Sequence, residues 1–203
     1  MSDGFFIAIE GVDGAGKSTQ VALLAKRLRA GGRAAVMVRE PGGTPLGEEV
    51  RSILLKKHEV PITVEAELLL FLASRVQLYE QCIRPALEGG SVVISDRYYL
   101  STLVYQGIAG GLGEARAAEL CERVLGARRP HLHLVLEVPL EDCRRRLGAG
   151  EDRFEGRPGF LERVHDGFTR VQGLPGDGIV RVSGEGSSPE VAERIYEEVC
   201  HAL

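Results

Sequence analysis

A lysine and a serine adjoin at positions 17 and 18, behind glycines spaced so that Gly11-Val12-Asp13-Gly14-Ala15-Gly16-Lys17-Ser18 reads G-x-x-x-x-G-K-[ST]. Glycines at those positions let successive backbone N–H groups converge on one concavity, and a following helix start adds a positive dipole end. That is a cradle for phosphate, the P-loop. Lys17 has the reach to touch outer phosphates, and the Ser18 hydroxyl suits Mg²⁺. Downstream, Asp96-Arg97 closes an apolar run. There the Asp could orient Mg²⁺ or its waters and the Arg could clamp a phosphate, or the pair could simply cap a helix. Arg39-Glu40-Pro41-Gly42-Gly43-Thr44 joins a charged pair to a turn-forming triplet, as either a ligand loop or an exposed turn. Phe71 and Arg75 stand four apart and share a helix face. They could sandwich and hydrogen-bond a planar base, although a Phe at that spacing also suits a core. Ser101, Thr102 and Gln106 are short polar groups fit to read base edges or to face solvent.

These residues need elements to hold them. Phe5-Phe6-Ile7-Ala8-Ile9 is a strand-type run before the P-loop, and residues 17–30 have helical apolar spacing, stopped by Gly31-Gly32. Further strands are expected at residues 34–38, 91–95, 132–138 and 179–183. Helices are expected at 45–57, with Pro45 at the first position, and at 64–87, interrupted late by Pro85. Others are expected at 114–125, 140–147, 160–172 and 189–202. Alternation of this kind predicts a five-stranded parallel sheet with helices on both faces. Arg144-Arg145-Arg146 reads as a solvated helix face. Residues 148–159 are glycine-rich and charged, suited to a lid whose arginines reach a phosphate on closure, or to a surface loop.

The 203 residues suit one domain, 1–203, with a lid segment at about 144–160. No apolar run approaches a membrane span, and no signal segment opens the chain. The four cysteines form no C-x-x-C pair and read as reduced thiols, which predicts a cytoplasmic protein. A net charge of −4 argues against a surface that coats nucleic acid.

A P-loop alone names no reaction. The chain contains no asparagine, so the Asn-Lys-x-Asp guanine-reading motif is excluded. Arginines recur at Arg39, Arg51, Arg75, Arg97 and Arg153. Transfer between two phosphorylated molecules gathers negative charge, and a cationic cage with Mg²⁺ offsets it. A kinase for another mononucleotide or a deoxynucleoside, or a regulator that binds ATP without transfer, shares parts of this pattern.

Along nearly its whole length the chain resembles the bacterial type of thymidylate kinase, within the P-loop nucleoside monophosphate kinases. The resemblance rests on residues 10–19, residues 39–44, residues 67–77, Asp96-Arg97-Tyr98 with Ser101-Thr102 and Tyr105-Gln106-Gly107, and Asp152-Arg153-Phe154-Glu155. It implies phosphorylation of dTMP to dTDP by ATP·Mg²⁺ through in-line transfer, and a homodimer packed through helices. Gly11, Val12, Asp13, Gly14, Ala15, Gly16, Lys17, Ser18 and Thr19 would bind ATP, with Ser18, Asp13 and Asp96 near the metal, some through water. Phe71 would stack on thymine, Arg75 would bond its O4, and Ser101, Thr102 and Gln106 would complete the pocket. Arg97 and Arg39 would hold the acceptor phosphate, supported by Arg51. Asp13, Glu40 and Pro41 would face the sugar, and the Glu40–Pro41 bond would be cis. Lys17, Arg97, Arg153 and Asp13 would be catalytic. Position 14 is glycine where some relatives carry a catalytic arginine, so the cation would come from the lid: Arg153 first, then Arg157.

Overall fold

Phe6, Ile7, Ala8 and Ile9 have no exposed surface. A continuous apolar run of that kind suits a strand covered on both faces, and it forms the middle of the sheet. The computed structural model describes residues 4–56, 58–147 and 159–203. In chain order the elements are β1 (Phe5–Glu10), α1 (Lys17–Ala30), β2 (Ala35–Arg39), α2 (Pro45–Leu55) and α3 (Val64–Leu78). Then come α4 (Arg84–Glu88), β3 (Val92–Asp96), α5 (Tyr99–Thr102), α6 (Glu114–Leu125) and β4 (Leu132–Glu137). The chain closes with α7 (Leu140–Leu147), α8 (Phe160–Arg170), β5 (Ile179–Ser183) and α9 (Ser188–Ala202). The five strands are parallel, in the order β2-β3-β1-β4-β5, with helices on both faces as expected.

That order places the site. The chain leaves β1 toward β2 on one side and leaves β3 toward β4 on the other, so a crevice opens at the carboxyl ends of β1 and β3. Ile9 pairs with Asp96, and Asp96 pairs with Arg39. The ends of three strands therefore deliver the P-loop, Asp96-Arg97 and the Arg39–Glu40 pair side by side.

Two helices differ from the simple expectation. The segment after α3 does not break at Pro85. It widens into a π turn at Tyr79–Ile83 and continues as α4. Arg84 N–H bonds Tyr79 O, and Pro85, which has no N–H to lose, occupies the first turn of α4. A second π segment, Leu103–Ala109, follows α5 directly. Residues four apart share a face in an α-helix and still do so across the wider i→i+5 turn. Ser101 and Thr102 consequently stand with Tyr105 and Gln106 along the same cavity.

Candidate functional site

Two clefts meet at the carboxyl edge of the sheet. The first is lined by the P-loop residues Asp13, Gly14, Gly16, Lys17, Ser18 and Thr19, together with Asp96, Arg39 and Arg146. The second, a cavity of ≈ 160 Å³, is lined by Pro41, Leu55, Phe71, Arg75, Tyr98, Ser101, Thr102, Tyr105 and Gln106. Asp13, Glu40, Arg51 and Arg97 belong to both linings.

In the P-loop, Gly14 and Gly16 hold φ of 81° and 95°, conformations that a side chain resists. Gly16 opens α1 with no side-chain cap, which leaves the first-turn N–H groups available to an anion. Lys17 donates to Val12 O at 2.9 Å and stands 3.8 Å from Asp13. Burial, with Arg97 nearby, pulls the Lys17 ammonium down to about 8. Ser18 Oγ donates to Asp96 Oδ2.

Arg97 is the centre of the shared wall. Among the described residues it is the only non-glycine with a left-handed backbone, at φ 71°, a geometry that persists only where the surroundings impose it. Its guanidinium donates to Gly11 O at 3.0 Å, Ser101 Oγ at 2.9 Å and Tyr105 Oη at 3.1 Å, and it pairs with Asp13. Tyr105 Oη in turn donates to Asp13 Oδ2 at 2.6 Å. Burial alone would push the Asp13 carboxyl up, but Arg97 and Lys17 hold it well below the usual carboxylate range.

The second cavity carries a buried ion pair. Arg75 is 1% exposed, and its Nε donates to Glu40 Oε2 at 2.7 Å while an Nη donates to Thr102 Oγ1 at 3.1 Å. Burial pushes the Glu40 carboxyl up to about 7 against the pull of Arg75. The other Arg75 Nη and Glu40 Oε1 are buried without a hydrogen-bond partner among the described residues, and such groups call for a polar ligand or water. Phe71 lies outside the buried core and lines the cavity one turn from Arg75, which favours the base-plate reading over the core one. Gln106 Nε2 reaches Glu67 Oε2 at 3.5 Å. The Glu40–Pro41 bond is cis, and Arg51 donates to Pro41 O at 3.0 Å.

Most of the expected site residues therefore come together. Arg39 lines the P-loop cleft, where it pairs with Glu48 at 3.1 Å, and is not among the side chains of the second cavity. Arg153 and Arg157, with most of the lid segment, lie outside the described residues. One expectation is corrected. Of the arginine run, Arg144 and Arg145 are surface pairs with Glu141, Glu162 and Asp142, but Arg146 donates to Gly14 O at 3.2 Å and lines the P-loop cleft. A Cβ at position 14 would fall 2.5 Å from Cys143 O. The backbone of α7 thus occupies the space an arginine at 14 would need, and the same helix carries a cation to the loop. The sequence alone puts Arg146 on a solvated helix face and places Glu10 and Tyr105 within motifs but gives neither a role of its own. The four-residue spacing of Ser101 and Tyr105 was the one available signal.

The family model for thymidylate kinase matches residues 9–195. Among similar proteins, a thymidylate kinase of Syntrophotalea carbinolica is 40% identical over 208 residues, covering 98% of this chain and 96% of its own. A thymidylate kinase of Alkalilimnicola ehrlichii is 47% identical over 175 residues, covering 84% and 81%. One from Pseudomonas fluorescens is 46% identical over 168 residues, covering 81% and 80%.

Proposed function

Because the chain belongs to the thymidylate kinase family, we propose that it transfers the γ-phosphoryl group of ATP to dTMP, giving dTDP for dTTP synthesis. The observation that carries this reading is the pair of clefts with a common wall of Asp13, Glu40, Arg51 and Arg97. A donor on the P-loop and an acceptor in the second cavity would meet across that wall.

In this reading the P-loop amides and Lys17 hold the donor phosphates, and Arg97 bridges toward the acceptor phosphate with Arg51 behind it. Phe71 stacks on the base. The unpartnered Arg75 Nη bonds a base carbonyl, with Ser101, Thr102 and Gln106 around it. The attacking phosphate oxygen is already anionic near neutral pH, so no strong general base is required. Cations spread the developing charge, and Arg153, in the segment 144–160, would add to them within a single kinase unit, 1–203. Mg²⁺ fits the all-oxygen donor set of Ser18 and Asp96, with Asp13 through water, and would supply further charge neutralisation. The described residues contain no cage of three or more His, Cys, Asp or Glu side chains, as suits an ion that arrives with nucleotide phosphates.

A homodimer is part of the same proposal, supported by the exposed Leu46 and Ile53, seven apart on α2, and Leu69 on α3. No helix among the described residues is long and apolar enough to cross a membrane. Together with the free cysteines, that is compatible with action in the cytoplasm. The test is ADP release with ATP·Mg²⁺ and a panel of dTMP, dUMP, dCMP, AMP, GMP and thymidine. Turnover on dTMP, with dUMP at most weak, is expected. Preference for another acceptor would discard the base pocket, and binding of ATP without any turnover would overturn the kinase reading.

A further inference from the structure

Glu10 ends β1 with no exposed surface. It contacts neither cleft, yet both its oxygens are engaged. Oε1 accepts the Tyr98 N–H at 2.8 Å, and Oε2 accepts the Ser101 hydroxyl at 2.5 Å. Ser101 Oγ is also the acceptor for Arg97 Nη at 2.9 Å. One carboxylate therefore grips Arg97 twice: through the peptide that follows it, and through the hydroxyl that its guanidinium bonds. The peptide matters because Arg97 is the strained residue. Its own N–H bonds Ile9 O at 3.0 Å, and its carbonyl accepts Ser95 Oγ at 2.6 Å. The Tyr98 N–H held by Glu10 completes the restraint. The hydroxyl matters for a different reason. A carboxylate only accepts, so it draws the Ser101 proton toward itself and leaves an Oγ lone pair facing Arg97.

We propose that Glu10 is the positioning residue of the acceptor-phosphate site, setting both the left-handed backbone and the guanidinium direction of Arg97 through Tyr98 N–H and Ser101. The proposal rests on the kinase reading for the role of Arg97. It makes a demand that packing alone does not. A glutamine at position 10 has nearly the same shape, but its single oxygen serves either Tyr98 or Ser101. With the oxygen on Tyr98, the amide N–H faces Ser101 and turns the hydroxyl proton against Arg97. A matching shape with the wrong polarity should therefore fail.

Calorimetric titration with dTMP, and separately with ATP, distinguishes the possibilities in the wild type, Glu10→Gln, Ser101→Ala and the double variant. Thermal unfolding is recorded for each. Glu10→Gln is expected to weaken dTMP binding about tenfold, the scale of one lost hydrogen bond to a charged group, with a clearly smaller loss for ATP, whose phosphates the P-loop backbone and Lys17 still hold. Ser101→Ala is expected to show part of the same loss. The double variant should be no worse than Glu10→Gln, because the two substitutions break one chain of bonds. Wild-type dTMP affinity in Glu10→Gln, equal losses for ATP and dTMP, or additive losses in the double variant would each overturn the proposal. If Glu10→Gln does not fold, unchanged dTMP affinity in Ser101→Ala overturns the hydroxyl relay on its own. Binding is read apart from turnover. A wild type that binds dTMP but does not phosphorylate it would defeat the kinase reading and leave this test standing.

Discussion

Removal of one oxygen atom at the junction of the two clefts tests the site most directly. Tyr105→Phe keeps the ring against Phe160 and Phe168, at 6.1 and 6.2 Å, and takes away the hydroxyl that joins Asp13 to Arg97. Among the described residues two bonds disappear, the 2.6 Å donation to Asp13 and the 3.1 Å acceptance from Arg97. Hydrogen bonds to charged groups contribute about 1.5–3 kcal/mol each. Both charged partners keep other contacts, since Arg97 retains Asp13, Gly11 O and Ser101, and Asp13 retains Arg97. The loss should therefore fall near the low end for the pair together, about 1.5 kcal/mol, or roughly tenfold in kcat/KM for dTMP. The KM for ATP should change little, because the P-loop backbone and Lys17 are untouched. Coupled ADP-release kinetics, with dTMP varied at saturating ATP and the reverse, reads both values. A folded Tyr105→Phe enzyme with kcat/KM for dTMP within twofold of wild type would refute the view that this hydroxyl orients the shared wall.

Arg153→Ala is expected to lower turnover far more than dTMP affinity, as kinetics and calorimetry together would read. Equal loss of binding with turnover intact would end the catalytic assignment. Gly14→Ala should destabilise the protein by at least about 1–2 kcal/mol from its left-handed backbone alone. Its Cβ would also displace α7 at Cys143 and weaken ATP binding, which thermal melts and the ATP KM would detect. His133 has no exposed surface, and both ring nitrogens lack partners among the described residues. Burial, with Arg129 adding to it, pushes the imidazole down to about 3 from an ordinary 6.5. The folded state thus favours the neutral ring. That contribution is complete above about pH 6.5, is lost as pH falls toward 3, and amounts to about 2 kcal/mol lost by pH 5. Urea unfolding at pH 7 and 5 should show a smaller acid penalty in His133→Leu, and an identical penalty would contradict the assignment.

The sheet and the phosphate loop were legible because their signals are local. An unbroken apolar run such as Phe5–Ile9 admits few alternatives, and glycines at 11, 14 and 16 mark a backbone that only glycine adopts easily. Phe71 and Arg75 were legible as a pair through helical spacing. What remained hidden depends on where one element lies against another. Three consecutive arginines look alike in a sequence, and only the seat of α7 over Gly14 singles out Arg146. Ser101, Thr102 and Gln106 were legible as polar groups on one helix, whereas the π segment that carries Tyr105 and Gln106 is announced by no residue pattern. Glu10 reads as the polar end of a strand. Its partners are 88 and 91 residues away in the chain, so its role exists only once β1 and β3 lie side by side.

The wall common to both clefts has a thermodynamic corollary. Asp13, Glu40, Arg51 and Arg97 line both clefts, so a nucleotide bound in one would redraw the surface and the field that a nucleotide in the other meets. Any factor by which ATP alters the dissociation constant of dTMP must equal the factor by which dTMP alters that of ATP. A molecule tethering both nucleotides would collect that coupling together with the advantage of linkage, whereas a compound confined to one cleft would compete with that cleft's own substrate, and the substrate in the other would alter its potency by no more than the coupling factor.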